Sequence, residues 1–282
     1  MIVFATAGKP ESYGKRTYPH ELPAYLEGFG LNGFEVQCGK GVNISSVARD
    51  KFPVIAKKHG LNLSIHAPYY ISLSSAEEEK RIKSVEYIME TARAAKQIRA
   101  ERIVVHSGSC AKMKRSEALA LALETLKKAR TEMDSAGLNN IIICPETMGK
   151  INQLGDLDEV LELCSFDNRM LPCIDFGHLN ARSLGGLKSR ADYAAVFDAI
   201  ENKLGAKRLH NLHIHFSKIE YTDGGEKKHL TFADTEYGPD YEPFIDEIIA
   251  RNMQPFIVCE SDGTQAEDCS EMAAYYSKTY LK

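Results

Sequence analysis

The chain has 282 residues, 44% of them hydrophobic and 26% charged, with a formal net charge of -4. That leaves room for one large α/β barrel or two ordinary domains, and it is the composition of a soluble globular protein rather than a disordered or fibrous one. The charge total gives no hint of a polyanionic partner, and no apolar run approaches the roughly 20 residues that span a bilayer. The seven cysteines, none in a C-x-x-C pair, read as reduced thiols of a cytoplasmic protein, not as a disulfide framework or a cysteine zinc site.

Along the chain, IVFATAG at 2–8 reads as a first strand, its apolar run being too short for the core of a signal peptide. Similar β-branched runs follow: GFEVQC at 33–38, LNLSIHAP at 61–68, RIVVHSG at 102–108, NIIICPET at 140–147, LPCIDFG at 171–177, LHNLHIHF at 209–216 and PFIVCES at 255–261. Amphipathic stretches separate them. The clearest, AEEEKRIKSVEYIMETARAAKQI, puts Ile82, Val85, Ile88, Met89 and Ala92 on one stripe, with Ser75 and Glu78 spaced as a capping box. The strands are near-continuous apolar runs, as a parallel sheet covered by helices requires. Eight such units without a linker or a break in composition predict an α/β fold, a (β/α)8 TIM barrel forming one domain over 1–282, with a doubly wound sheet as the alternative.

The polar residues at the strand ends form a pattern. His66 closes the third run, His106 the fourth and Glu146 the fifth; Asp175 closes the sixth with His178 just beyond; His213 lies in the seventh and Glu260 in the eighth. His229 sits in the loop after the seventh. Any one of these is more simply structural: a carboxylate at a strand end is usually a turn former or a helix cap. Together, in a barrel, they converge on one mouth. Carboxylates crowded and buried without partners are costly, and metal cations resolve that cost. Imidazole and carboxylate donors suit Zn²⁺, with Mn²⁺ or Fe²⁺ as alternatives, and the number of donors suits two or three ions. His215 faces the same side of its strand as His213 and competes with it as a ligand.

The set SIHAPYYISL, IVVHSGS, CPET, CIDFGH, HIHFSK, KKHLTF and IVCES resembles the endonuclease IV family of zinc-dependent apurinic/apyrimidinic endonucleases, over about 2–265. The resemblance implies the same barrel, a monomer, no organic cofactor, and hydrolysis of the phosphodiester 5′ to an abasic site in double-stranded DNA. It implies that His66, His106 and Glu146 hold one zinc. Glu146, Asp175, His213 and Glu260 would hold a second, and His178 and His229 would belong to a third. Tyr69 falls where the family has a tyrosine that enters the DNA, and with Tyr70, Lys40 and Arg182 it makes up the expected DNA-binding set.

The chain departs from that family in GGEKKHLTF, where Lys227 stands two residues before His229 in place of an expected Asp. Glu226 or Asp223 could supply the carboxylate, the loop being realigned by a residue. Alternatively the third metal is absent and Lys227 itself supplies the positive charge near the leaving group, Glu146 and Lys227 being the catalytic pair; or the reaction is no longer the family's. The sequence TMGK after Glu146 and Phe216 after HIH also differ from the family pattern. Charge is uneven along the loops. Lys9, Lys15, Arg16, Lys40, Lys112, Lys114, Arg115, Lys150, Arg182, Lys188 and Arg190 stand against Glu11 alone in five of the mouth loops, while the last two are acidic. A largely positive mouth suits backbone phosphates. Two other readings stay open: a single-metal sugar isomerase or epimerase on the same barrel, using Glu146, Asp175, His213 and Glu260, and a barrel that binds DNA or metal without turnover.

Overall fold

The computed structural model describes residues 1–280. Its strands are β1 (Val3–Ala7), β2 (Gly33–Gln37), β3 (Asn62–His66), β4 (Arg102–His106), β5 (Ile142–Glu146), β6 (Cys173–Asp175), β7 (His213–Phe216), β8 (Ile219–Thr222), β9 (Gly225–His229) and β10 (Phe256–Cys259). All but β8 and β9 close into a barrel in the order β1-β10-β7-β6-β5-β4-β3-β2, every pairing parallel. This is the TIM barrel expected from the run spacing, not a doubly wound sheet. β8 and β9 form an antiparallel hairpin in the loop after β7.

Two chemistries separate the inside of the barrel from its outside. Outward-facing strand residues meet the helices in an apolar layer whose densest part is aromatic: Phe176 packs on Phe244, Tyr193 and Phe197 with ring centroids 4.9–5.6 Å apart. Inside, the lining is small and mixed. Val104, Cys144 and Cys173 form one buried cluster, and Ala5, Phe256 and Val258 another. No helix among the described residues is long and apolar enough to cross a membrane.

The inward positions fall into tiers two residues apart, the strand period. Registers tie Glu35 to Ser64, Val104 to Cys144 and Cys173 to His213 in the lower tier. They tie Gln37 to His66, His106 to Glu146 and Asp175 to His215 in the upper tier, at the mouth.

One local expectation is corrected. The helix Glu78–Ile98 starts with Glu77 at its N-cap and no side-chain cap; Ser75 Oγ instead accepts the Glu77 N–H at 3.2 Å, closing a turn before the helix. The stripe buries Val85, Ile88, Met89 and Ala92 but leaves Ile82, near the start of the helix, exposed.

Candidate metal centre

Three groups of donor atoms meet at the mouth, each group's atoms lying within 4.8 Å of one another. The first is His66, His106 and Glu146; the second is Glu146, Asp175, His215 and Glu260; the third is His178, Glu226 and His229. Glu146 belongs to two of them. Its Oε2 lies 3.4 Å from His66 Nε2 and 3.3 Å from His106 Nε2, while its Oε1 lies 3.0 Å from His215 Nδ1. A cavity of about 270 Å³ opens over the groups and is lined also by Gln37, Tyr69 and Gln153.

The rings are aimed by what lies behind them. His66 Nδ1 donates to the Ala67 carbonyl at 2.8 Å, and His178 Nδ1 to the Thr147 carbonyl at 2.8 Å. A carbonyl only accepts, so each ring carries a proton on Nδ1 and turns Nε2 to the centre, where its lone pair serves a cation once the ring is neutral. His178 Nε2 then faces Glu226 Oε2 at 3.4 Å. His229 Nδ1 is held by Ser217 Oγ at 2.8 Å.

Asp175 has two jobs, one per oxygen. Oδ1 accepts the His178 N–H at 2.8 Å and caps the helix Phe176–Arg182, the ordinary role for an Asp at a strand end. Oδ2 is buried and makes no hydrogen bond, although His178 Nδ1, whose proton goes to Thr147, lies 3.1 Å away; Glu146 Oε2 makes none either. Buried carboxylate oxygens with no donor are rare and costly. Surrounded by aimed imidazoles, they fit a divalent cation, and the donor set is that of zinc and its neighbours.

The electrostatics carry the same tension. Burial works to raise Glu146, but His215, His106 and His66 outweigh it and hold it well below the usual carboxylate range. Burial likewise opposes the charged form of Glu260, yet His215 brings it down to about 2. Asp175 is left with the burial penalty: it is pushed up to about 6, against the pull of His178 and with Glu260 and Glu146 adding to the rise. Burial alone would lower His66 and His178, but Glu146 raises the first to about 9, and Asp175 and Glu226 raise the second to about 9. Without cations, protons hold the site together.

Three sequence expectations are corrected in position. His213 is not in the upper tier. It sits below, its Nε2 donating to Glu35 at 3.0 Å and its ring stacked on Phe256, and burial lowers it to about 4. His215, two residues nearer the mouth, takes the place expected of His213, because the Asp175–His215 register puts it level with the carboxylates. With His213 and Cys173 it also forms a deeper donor group, where burial pushes the Cys173 thiol well above its usual range. Lys227 does not reach the centre: its ammonium pairs with Glu220 on the outer side of the hairpin. Arg182 does not face the mouth as a free cation. It donates to the carbonyls of Met148, Lys150, Ile151 and Gln153 and pins the loop after β5.

The hairpin explains Glu226. Opposite Glu220 and Tyr221 stand Lys228 and Glu226, so Lys227 is an extra residue in β9, a β-bulge. Strict alternation would turn Glu226 and His229, three apart, to opposite faces; the bulge shifts the phase by one and brings both to the mouth. Gly149 makes the room: a Cβ there would lie 2.6 Å from Glu226 Cβ and 2.9 Å from His178 Cδ2. Tyr69 is exposed at the rim, its ring stacked on His106 with centroids 5.7 Å apart. Tyr70 is exposed beside it, tilted against Tyr87, and Lys40 is exposed in the neighbouring loop.

The sequence pattern of the family described as "Xylose isomerase-like TIM barrel" matches residues 23–278. The chain belongs to this family. Among its relatives is the uncharacterized protein MJ0133 of Methanocaldococcus jannaschii, 31% identical over 263 residues, covering 93% of this chain and 92% of that protein. A probable endonuclease 4 of Mycoplasma pneumoniae is 28% identical over 180 residues, covering 60% of this chain and 59% of that protein. The resemblance to endonuclease IV is thus one of distant homology. Two solved members of the barrel class share its fold: a D-tagatose 3-epimerase-like protein (TM-score 0.75, 17% identity, 99% of this chain and 98% of that one) and endonuclease IV from Thermus thermophilus (0.65, 19%, 99% and 97%). A shared barrel does not fix an activity, so the side chains at the mouth have to carry that argument.

Proposed function

We propose that this chain is a metal-dependent hydrolase of phosphodiester bonds in DNA repair, cutting double-stranded DNA 5′ to apurinic/apyrimidinic sites with two or three zinc ions. The observation that carries this reading is the third donor group, His178, Glu226 and His229, beside the two groups that share Glu146. A sugar isomerase or epimerase needs one divalent ion, for which Glu146, Asp175, His215 and Glu260 suffice; it has no use for His66, His106, His178 and His229 as well.

His66, His106 and Glu146 would hold one cation, Glu146, Asp175, His215 and Glu260 a second, and His178, Glu226 and His229 a third. Bound there, divalent cations supply Lewis acidity toward phosphate oxygens and lower the pKa of water toward about 7. The protein's own share is orientation. Glu146 spans two groups, the backed imidazoles keep their lone pairs on the centre, and the loop after β5, pinned by Arg182, walls one side. Tyr69, exposed over His106, would be the residue that enters a duplex beside a lesion.

Positive charge at the rim supports a DNA partner, but less than the sequence suggests. Of the basic residues of the mouth loops, Arg16, Arg115, Arg182 and Arg190 are spent on internal carbonyls or carboxylates. The exposed cations are lysines, among them Lys9, Lys40, Lys112, Lys150 and Lys188. The reading includes a cytoplasmic, single-domain monomer without an organic cofactor. Elemental analysis of anaerobically purified protein, run alongside incision of a duplex with one abasic analogue, tests it: two or three metals with 5′ incision are expected. One metal per chain without incision overturns it in favour of a sugar isomerase.

A further inference from the structure

His66 and His178 are each backed by a main-chain carbonyl; His215 is not. Its Nδ1 is the nitrogen turned to the mouth, 3.0 Å from Glu146 Oε1 and 3.3 Å from Glu260 Oε2. Its Nε2 points down the barrel, 3.2 Å from Glu35 Oε1, and makes no aligned hydrogen bond to any group. Glu35 lies in the lower tier on β2 and is fully buried. Three donors pin its carboxylate: Ser64 Oγ at 2.9 Å and His213 Nε2 at 3.0 Å on Oε2, and Gln37 Nε2 at 3.1 Å on Oε1. No lysine or arginine is paired with it among the described residues. Other lower-tier positions are filled by Val104, Cys144 and Cys173, so an apolar residue would close the barrel without the cost of burying a charge.

We propose that Glu35 is a positioning residue for the metal centre. Without a cation His215 Nδ1 pairs with Glu146 Oε1 at 3.0 Å; with a cation on Nδ1 the ring proton belongs on Nε2, where Glu35 Oε1, 3.2 Å away, is there to accept it, and this fixes the tautomer whose Nδ1 lone pair faces Glu146, Asp175 and Glu260. A negative charge behind a ligating imidazole also raises its basicity, which a carbonyl does more weakly. Ser64, Gln37 and His213 hold Glu35 still, and this gives His213 its role: it braces the carboxylate behind the ligand one tier above. The inference rests on the metal-centre reading and deepens it. It assigns work to Glu35, His213, Ser64 and Gln37, which the donor groups at the mouth leave unexplained.

Two measurements test it. The first uses the wild-type chain, labelled with ¹⁵N-histidine and loaded with zinc. The His215 resonances are expected to show Nε2 protonated and Nδ1 bound to metal; Nε2 bound to metal, or Nδ1 protonated, overturns the proposal. The second compares wild type with Glu35→Gln by titrating a chromophoric chelator against the loaded protein. One metal per chain is expected to leave at roughly 10–100-fold lower chelator concentration, the span that loss of such an outer partner causes, while the remaining metal is retained as in wild type. A folded Glu35→Gln protein that holds every metal as tightly as wild type overturns the role of Glu35 and leaves the metal centre standing. A wild-type chain that takes up no zinc removes both. Should Glu35→Gln fail to fold, the wild-type resonances decide alone.

Discussion

Glu226 and Lys227 are adjacent in the chain and face opposite sides of one hairpin, Glu226 against His178 at the mouth and Lys227 against Glu220 outside. The bulge in β9 sets them apart, and it separates the two accounts of how this chain could supply its third group. Glu226→Gln is expected to lower the metal content by one per chain, weakening that site by at least the roughly 10–100-fold that disturbance of a metal's surroundings costs. Incision of an abasic duplex should fall with it. Lys227→Ala should leave metal content and incision unchanged, because its pair with Glu220 is exposed and screened by solvent. Loss of incision in the lysine variant alone would return the catalytic charge to Lys227.

His213 and His215 make a similar contrast. His215→Ala removes a donor from the four-residue group, and the protein should lose a metal while keeping its fold. His213→Ala should retain that metal but unfold more easily, by about 1–3 kcal/mol, since Glu35 loses one of its buried donors. Thermal unfolding and elemental analysis of the two variants read the difference, and a swap of the two outcomes would put the ligand back at His213.

The barrel was legible because its signal is redundant: each of the eight runs is apolar, β-branched and followed by a helical stripe. His66, His106, Glu146 and Asp175 were legible because each ends such a run. What failed was depth. The strand period says that His213 and His215 share a face but not which of them is level with Asp175; that is fixed by register between strands, which one chain read by itself does not reveal. Glu35 was passed over for the same reason: within GFEVQC only Gln37 partners it, and the donors that mark it, Ser64 on the adjacent β3 and His213 across the barrel on β7, come together only in the fold. The third group was half legible: a realigned loop with Glu226 was among the alternatives, but the bulge that makes it so lies in a polar hairpin without a hydrophobic pattern. Arg182 misled because a basic residue on a mouth loop looks the same whether it faces solvent or its own backbone carbonyls.

Proton balance gives a pH prediction. In the metal-free protein His66 and His178 are raised from the usual 6.5 to about 9. Their stabilisation is fully present below 6.5 and is lost as pH rises through about 9, because the folded state binds the extra protons. The melting temperature of chelator-treated protein should therefore fall between pH 7 and 9. Cations require those imidazoles neutral, so metal uptake should release protons in the same window and strengthen as pH rises. Calorimetry in two buffers of different ionisation enthalpy measures the release. Uptake without proton release at pH 7.5 would mean that the two imidazoles are already neutral before the metal arrives.

Tyr69 is the place where metal chemistry and nucleic-acid recognition come apart. Its ring is exposed, touches His106 by one face and lies against Gly39, whose backbone carbonyl accepts the Tyr69 N–H at 3.1 Å. A Cβ on Gly39 would collide with that ring, so Gly39→Ala has to displace the tyrosine without touching a metal donor. Tyr69→Ala and Gly39→Ala should both keep the full metal complement. Each should weaken binding to a duplex with one abasic analogue, the first by about 1–3 kcal/mol if the ring stacks on or wedges beside a base. Binding to an undamaged duplex, which rests on phosphate contacts and is strongly salt-dependent, should change much less. Fluorescence anisotropy on the two duplexes at fixed salt makes the comparison. Equal loss on both would show that Tyr69 contributes no recognition of the lesion, and no loss on either would make it a wall of a small-molecule pocket.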